Sequence, residues 1–174
     1  MIVNKAWDWI KYRTYKRYHV IKTGLNPGYS DVTGKLLPTN FTMLQDFVEI
    51  EMANMYESLT EYPVVTGKNA GVAYLVWEMG LDKDSGFKQA EDAREIYDLY
   101  NWWTNVRPFR LDPWHLSNDD ALAVLRNTYD LNDDIKSSLY QDAYAEVDRL
   151  EELYDKEDEE MLIRLIKIRG ALWT

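Results

Sequence analysis

Thr39-Asn40-Phe41-Thr42-Met43-Leu44-Gln45-Asp46-Phe47-Val48-Glu49-Ile50-Glu51-Met52-Ala53-Asn54-Met55-Tyr56-Glu57-Ser58-Leu59 decides the fold class. Phe41, Leu44, Phe47, Val48, Met52, Met55 and Leu59 recur at helical spacing and make a broad apolar stripe, with polar residues between them. Thr39 or Asn40 is the expected cap, and Pro63 the expected stop.

The same period extends to both sides. Val3, Ala6, Trp7, Ile10 and Thr14 share a face of an expected first helix over residues 1–22, and Gly24, Pro27 and Gly28 end it. Residues 23–38 then read as an ordered loop, with Gly34 and Pro38 as further turn signals. Val72, Leu75, Val76 and Met79 predict a short helix closed by Gly80. Ser85 is placed to cap the next one, whose inward residues are Ala93, Ile96, Tyr97, Tyr100 and Trp103. Residues 107–116 read as a connector, and Ser117 with Asp120 resembles a capping box ahead of Leu122 and Leu125.

A long pattern follows through Ile135, Leu139, Ala143, Val147, Leu150 and Tyr154. The acidic run Asp155 to Glu160 is expected to bend it, with a new helix starting near Glu157 and continuing through Met161, Leu165, Ile168 and Leu172. Only Tyr62 to Val65 hints at a strand, restricted to an edge by Pro63. The fold expectation is mainly α: one domain over residues 1–174, a helical bundle of about six helices with ordered Gly/Pro loops. Its parts are a basic aromatic helix (1–22), central helices (39–106), a connector (107–116) and acidic C-terminal helices (117–174).

Charge is distributed unevenly. The first 30 residues carry six basic side chains against Asp8 alone, while the whole 174-residue chain has a net charge of −10. With 46% hydrophobic residues the composition favours a packed core over disorder. Absence of cysteine removes disulfides, thiolate metal sites and thiol nucleophiles. No signal-peptide core or membrane-length apolar run is present, so the expectation is a cytoplasmic protein with no membrane association.

Four groups of side chains carry functional readings. Lys11, Arg13, Lys16 and Arg17 alternate with Trp9, Tyr12, Tyr15 and Tyr18, a pattern that suits nucleic-acid contact. The overall acidity favours instead that this first helix docks against the protein's own acidic C-terminal helices. Trp102, Arg107, Arg110 and Trp114 form a proline-stiffened segment rich in the residue types of binding hot spots, and they are the expected partner-binding residues. The alternative is a clamp, with Trp103 in the core and Arg107 or Arg110 paired to Asp112 or another acid. Asp155, Glu157, Asp158, Glu159 and Glu160 are a candidate acidic docking face, able to imitate nucleic-acid phosphates towards a basic groove.

The fourth group is the two histidines, His19 and His115, which lie in no metal-ligand spacing. Phosphate-loop and EF-hand lookalikes fail on their glycine and Ser/Thr positions. No catalytic residue, metal ligand or cofactor is assigned.

The stretches Tyr18 to Tyr29 and Asn40 to Glu49, together with Trp102-Trp103, Arg107-Pro108, Arg110, Asp112-Pro113 and Leu162 to Arg169, resemble a group of small tailed-bacteriophage proteins with no assigned activity. Ser30 stands where that pattern has an aromatic. The resemblance implies the cytoplasm of an infected bacterium. The leading functional expectation is a non-enzymatic phage protein that binds a host or phage protein, such as a defence component. A carboxylate–metal enzyme acting on nucleotides or nucleic acid is the alternative, and a minor virion or assembly component a third. Self-association through the apolar stripe Met161 to Trp173 is compatible with all three.

Overall fold

The computed structural model describes residues 23, 25, 28–59, 64–81, 83–113 and 133–172. The expected first helix, the short helix after Ser117 and both histidines lie outside them. Among the described residues the protein is mainly α, without strands, and four helices pack as a single bundle.

Helix α1 is one continuous rod: Val32–Asp46, a π-helical segment Phe47–Met52, and a final stretch Ala53–Leu59. It starts well before Thr39, so the loop expected over residues 23–38 is wrong in its second half. The cap is Asp31, whose carboxylate accepts the Gly34 N–H at 2.6 Å. Pro38 therefore lies inside the helix, where its missing N–H costs a bond. Asn40, an expected cap, instead donates from Nδ2 to the Leu36 carbonyl at 2.7 Å, back into the turn that contains the proline.

Phe41, Leu44 and Val48 are completely or almost completely buried, as the stripe predicts. A π turn takes an extra residue and is rare in isolation, so tertiary packing must support it. That support is α2 (Lys68–Met79), which lies against the π segment and the last stretch of α1. Gly71 is the point of contact: a methyl group there would overlap the Val48 carbonyl oxygen. Gly67, before α2, has φ +66°, a left-handed value that glycine adopts at little cost. Gly80 follows α2 as expected, but at φ −86°, so it closes the helix without the left-handed turn.

Helix α3 (Lys83–Asn101) begins two residues before Ser85, which is therefore an internal residue and not its cap. It runs on through a second π segment, Trp102–Val106, and a 3-10 turn, Arg107–Phe109, that contains Pro108. The first part of the expected connector is thus an extension of α3.

Helix α4 (Asp133–Ile168) is unbroken over 36 residues and ends in a 3-10 turn, Arg169–Ala171. The expected bend in the acidic run, with a new helix near Glu157, does not occur. The acids are instead accommodated within one helix by cations: Lys156 reaches back to Glu152 at 2.8 Å, and the end of α3 supplies two arginines to Glu157 and Asp158. Leu165 and Ile168 of α4 join Phe41, Leu44, Leu75, Ile96 and Leu99 in one core. Each such side chain contributes roughly 1.5–3 kcal/mol on burial.

Candidate functional site

Among the described residues, the end of α3 carries the most concentrated chemistry. Regular helical continuation from Ile96 and Tyr100 would bring Trp103 to the core and leave Trp102 beside it. The π segment changes the register, so Trp102 is buried and Trp103 half-buried. Both pack on Phe41: Trp102 tilted at 4.9 Å between ring centroids, Trp103 stacked at 5.1 Å. The rings hold the start of the Arg107–Phe109 turn against α1.

From that turn two arginines cross to α4. Arg107 forks onto Asp158, with Nη2 at 2.8 Å from Oδ2 and Nε at 3.2 Å from Oδ1. Arg110 Nη1 lies 2.6 Å from Asp158 Oδ1, and its Nη2 lies 2.8 Å from Glu157 Oε2. The Nη2 contact is an ion pair off the hydrogen-bonding direction, and Arg110 Nε is buried with no hydrogen-bond partner among the described residues. Trp102 Nε1 donates to the other oxygen of Glu157 at 2.7 Å.

The Arg110 guanidinium sits over both the Trp102 ring, at 5.3 Å, and the Tyr154 ring, at 4.8 Å, while Arg107 lies over Trp103 at 5.2 Å. Planar guanidinium suits such stacking, which lysine cannot reproduce. A second link between the same helices is Arg164 on Glu95, at 2.7 Å. The hydrogen bond from Arg164 holds the Glu95 carboxyl below its ordinary range, despite partial burial.

The structure thus brings together two groups that the sequence presents separately. Trp102, Arg107 and Arg110 face Glu157 and Asp158. Asp155, Glu159 and Glu160 stay exposed. Trp114 and the N-terminal cations Lys11, Arg13, Lys16 and Arg17 lie outside the described residues, as does the expected docking of the first helix on the acidic helices. The opposite charge of two dense segments about 50 residues apart was the available signal for the pairing, but many other pairings satisfy it equally.

An open groove of about 680 Å³ runs beside the clamp, between the two π segments and the start of α2. Glu49, Lys68, Tyr100, Thr104 and Arg107 line it. Glu49 Oε1 accepts from Tyr100 at 2.9 Å and from Gln45 at 3.0 Å. Burial, and then the bond to Glu49 and its charge, push the Tyr100 phenol up to about 12. A phenol normally titrates near 10, so its contribution to stability is complete below pH 10 and is lost as pH rises towards 12. Urea unfolding at pH 9, 10, 11 and 12 should show this decline, and Tyr100→Phe should flatten it. An equally steep decline in Tyr100→Phe would assign the effect elsewhere.

Among the described residues no three His, Cys, Asp or Glu side chains are grouped to hold a metal ion, and no helix is long and apolar enough to cross a membrane. The site defines a mainly α helical bundle whose longest helix is fastened by an arginine–carboxylate–indole clamp. Comparison of the chain with protein-family models, curated proteins and solved structures gave no match.

Proposed function

We propose that this chain is a non-enzymatic bacteriophage protein that binds a basic surface on a host or phage protein through the outward face of α4. The observation that carries the reading is how α4 divides its charge. Glu157 and Asp158 turn towards the arginines of α3, whereas Asp148, Glu152, Asp155 and Glu159 are exposed and recur at helical spacing on the opposite side. At 1.5 Å per residue this stripe is about 16 Å long. Only Lys156, on Glu152, partly neutralises it among the described residues.

Ile163 and Ile166 continue the same face and are about half exposed, at 45% and 48%. Acids that attract a basic partner, followed by apolar side chains that can be buried against it, suit a protein surface better than a bare polyanion imitation. The resemblance to small phage proteins supports an infected cell as the setting. Arg107 and Arg110 are less suited to contacting a partner directly, because their guanidinium groups are already engaged within the chain.

The test is co-purification from infected cells with the wild type and with Asp155→Lys/Glu159→Lys. Both acids are exposed, so the thermal midpoint should stay within a few degrees, while a partner recovered with the wild type should be lost at least tenfold. Elution of that partner by moderate salt should accompany the loss. Unchanged recovery from the charge-reversed protein would reject α4 as the contact.

A further inference from the structure

A second cavity, of about 460 Å³, lies on the other side of the α1 π segment, walled by α2, α3 and Ala171. Its volume is within the range of small-molecule sites. Phe47, Met52, Met55 and Ile96 give it apolar walls, and methionines adapt readily to the shape of a guest. Glu78 lines it and is only 7% exposed, the one buried charged side chain among the described residues.

Gln89 Nε2 donates to Glu78 Oε1 at 2.5 Å, and Tyr74 lies close enough to feel the charge of the same carboxylate. Burial, and then the charge of Glu78, raises the Tyr74 pKa. Among the residues whose side chains are described, no cation forms an ion pair with Glu78, though Lys88 lines the cavity with its side chain exposed. A buried carboxylate lacking an opposite charge is costly unless a cation completes it. The apolar walls cannot supply the six or more oxygen ligands preferred by calcium. A compact organic cation satisfies both halves of the cavity.

We infer that this cavity is a binding site for a small primary ammonium compound with an apolar body, its nitrogen paired to Glu78 and its body against Phe47, Met52, Met55 and Ile96. The net charge of −10 favours the approach of such a cation. Asp92, also on the lining, is a second acid of the same cavity. This site is independent of the α4 face, and a failure of either leaves the other standing.

Isothermal titration of the full chain with 2-phenylethylammonium, and with 2-phenylethanol as its neutral counterpart, tests the inference. The ammonium probe should bind saturably, and the alcohol should bind roughly tenfold or more weakly, because a charged hydrogen-bonded contact is lost. Glu78→Gln should bring the ammonium affinity down to that of the alcohol. Met55→Trp, which fills the cavity from a half-exposed position and leaves Glu78 in place, should abolish binding of both probes. Lys88→Ala should bind the ammonium probe at least as well as the wild type. Equal affinity for alcohol and ammonium, no saturable binding by the wild type, or full ammonium binding by either Glu78→Gln or Met55→Trp would each overturn the assignment.

Discussion

Gly71→Ala should destabilise the protein strongly, although the same change would stabilise an isolated helix. Alanine exceeds glycine in helix propensity by about 1 kcal/mol, and Gly71 is inside α2 with ordinary helical geometry. Propensity alone predicts a gain. The added methyl, however, would overlap the Val48 carbonyl oxygen and crowd the Val48 carbonyl carbon, both backbone atoms. No side-chain rotation relieves that contact, so α2 must move away from α1 or the π segment must rewind.

Overpacking of this kind costs roughly 1–3 kcal/mol, occasionally more, and the larger end applies where the obstructing atoms are backbone. The net expectation is a loss of about 2 kcal/mol after the propensity gain is subtracted. Urea denaturation of the two proteins measures it: the midpoint should fall with the slope unchanged. The loss should also reach the neighbouring cavity and groove, because Phe47, Met52 and Glu49 all belong to the displaced segment. A Gly71→Ala variant as stable as the wild type would show that α2 can withdraw freely and that the π segment does not depend on this contact.

The same contact explains which parts of the fold were legible in the sequence. The stripes through Phe41, Leu44 and Val48, through Leu75, and through Ala93, Ile96 and Tyr100 are periodic because each helix has one buried side, and periodicity is local information. The π segments are not local. The one at Phe47–Met52 is matched by a glycine more than 20 residues further on, and nothing in the spacing of its own residues sets it apart from an ordinary turn. Pro38 misled for a related reason. A proline favours a helix boundary only while its cost is not outweighed, and here Asp31 caps the helix earlier while Leu37 and Phe41 are buried on either side of the proline.

In the acidic run of α4, acids suited to a helix start argued for a break, but the arginines that hold them within one helix come from the end of α3. Of the site, the residue types at Trp102, Arg107 and Arg110 were legible, and so was the choice between a recognition loop and an internal clamp. Their partners were not, because sequence distance carries no information about which of thirty acids an arginine will meet.

Those partners make Arg110→Ala the second large effect. The Arg110 side chain is 13% exposed and shares Asp158, itself 21% exposed, with Arg107. Its removal leaves Asp158 to Arg107 alone and Glu157 to the Trp102 N–H, and takes a guanidinium from between two aromatic rings. Breaking a fully buried pair costs about 3–5 kcal/mol; partial solvent access at Glu157 and Asp158 brings the expected loss nearer 2–3 kcal/mol. Arg110→Met keeps much of the stacking volume but not the charge, so it separates packing from pairing.

A double-mutant cycle of Arg110→Met with Asp158→Asn then isolates the direct contact, with an expected coupling of about 1–2 kcal/mol. Arg110→Lys should restore little, because a compact ammonium cannot lie over both the Trp102 and Tyr154 rings while it reaches both Glu157 and Asp158. If Arg110→Ala instead unfolds at the wild-type urea midpoint, the clamp contributes nothing to holding α4 on the bundle. The arginines would then be available for exchange with an acidic partner, and the proposed contact surface would move from the outward face of α4 to the end of α3.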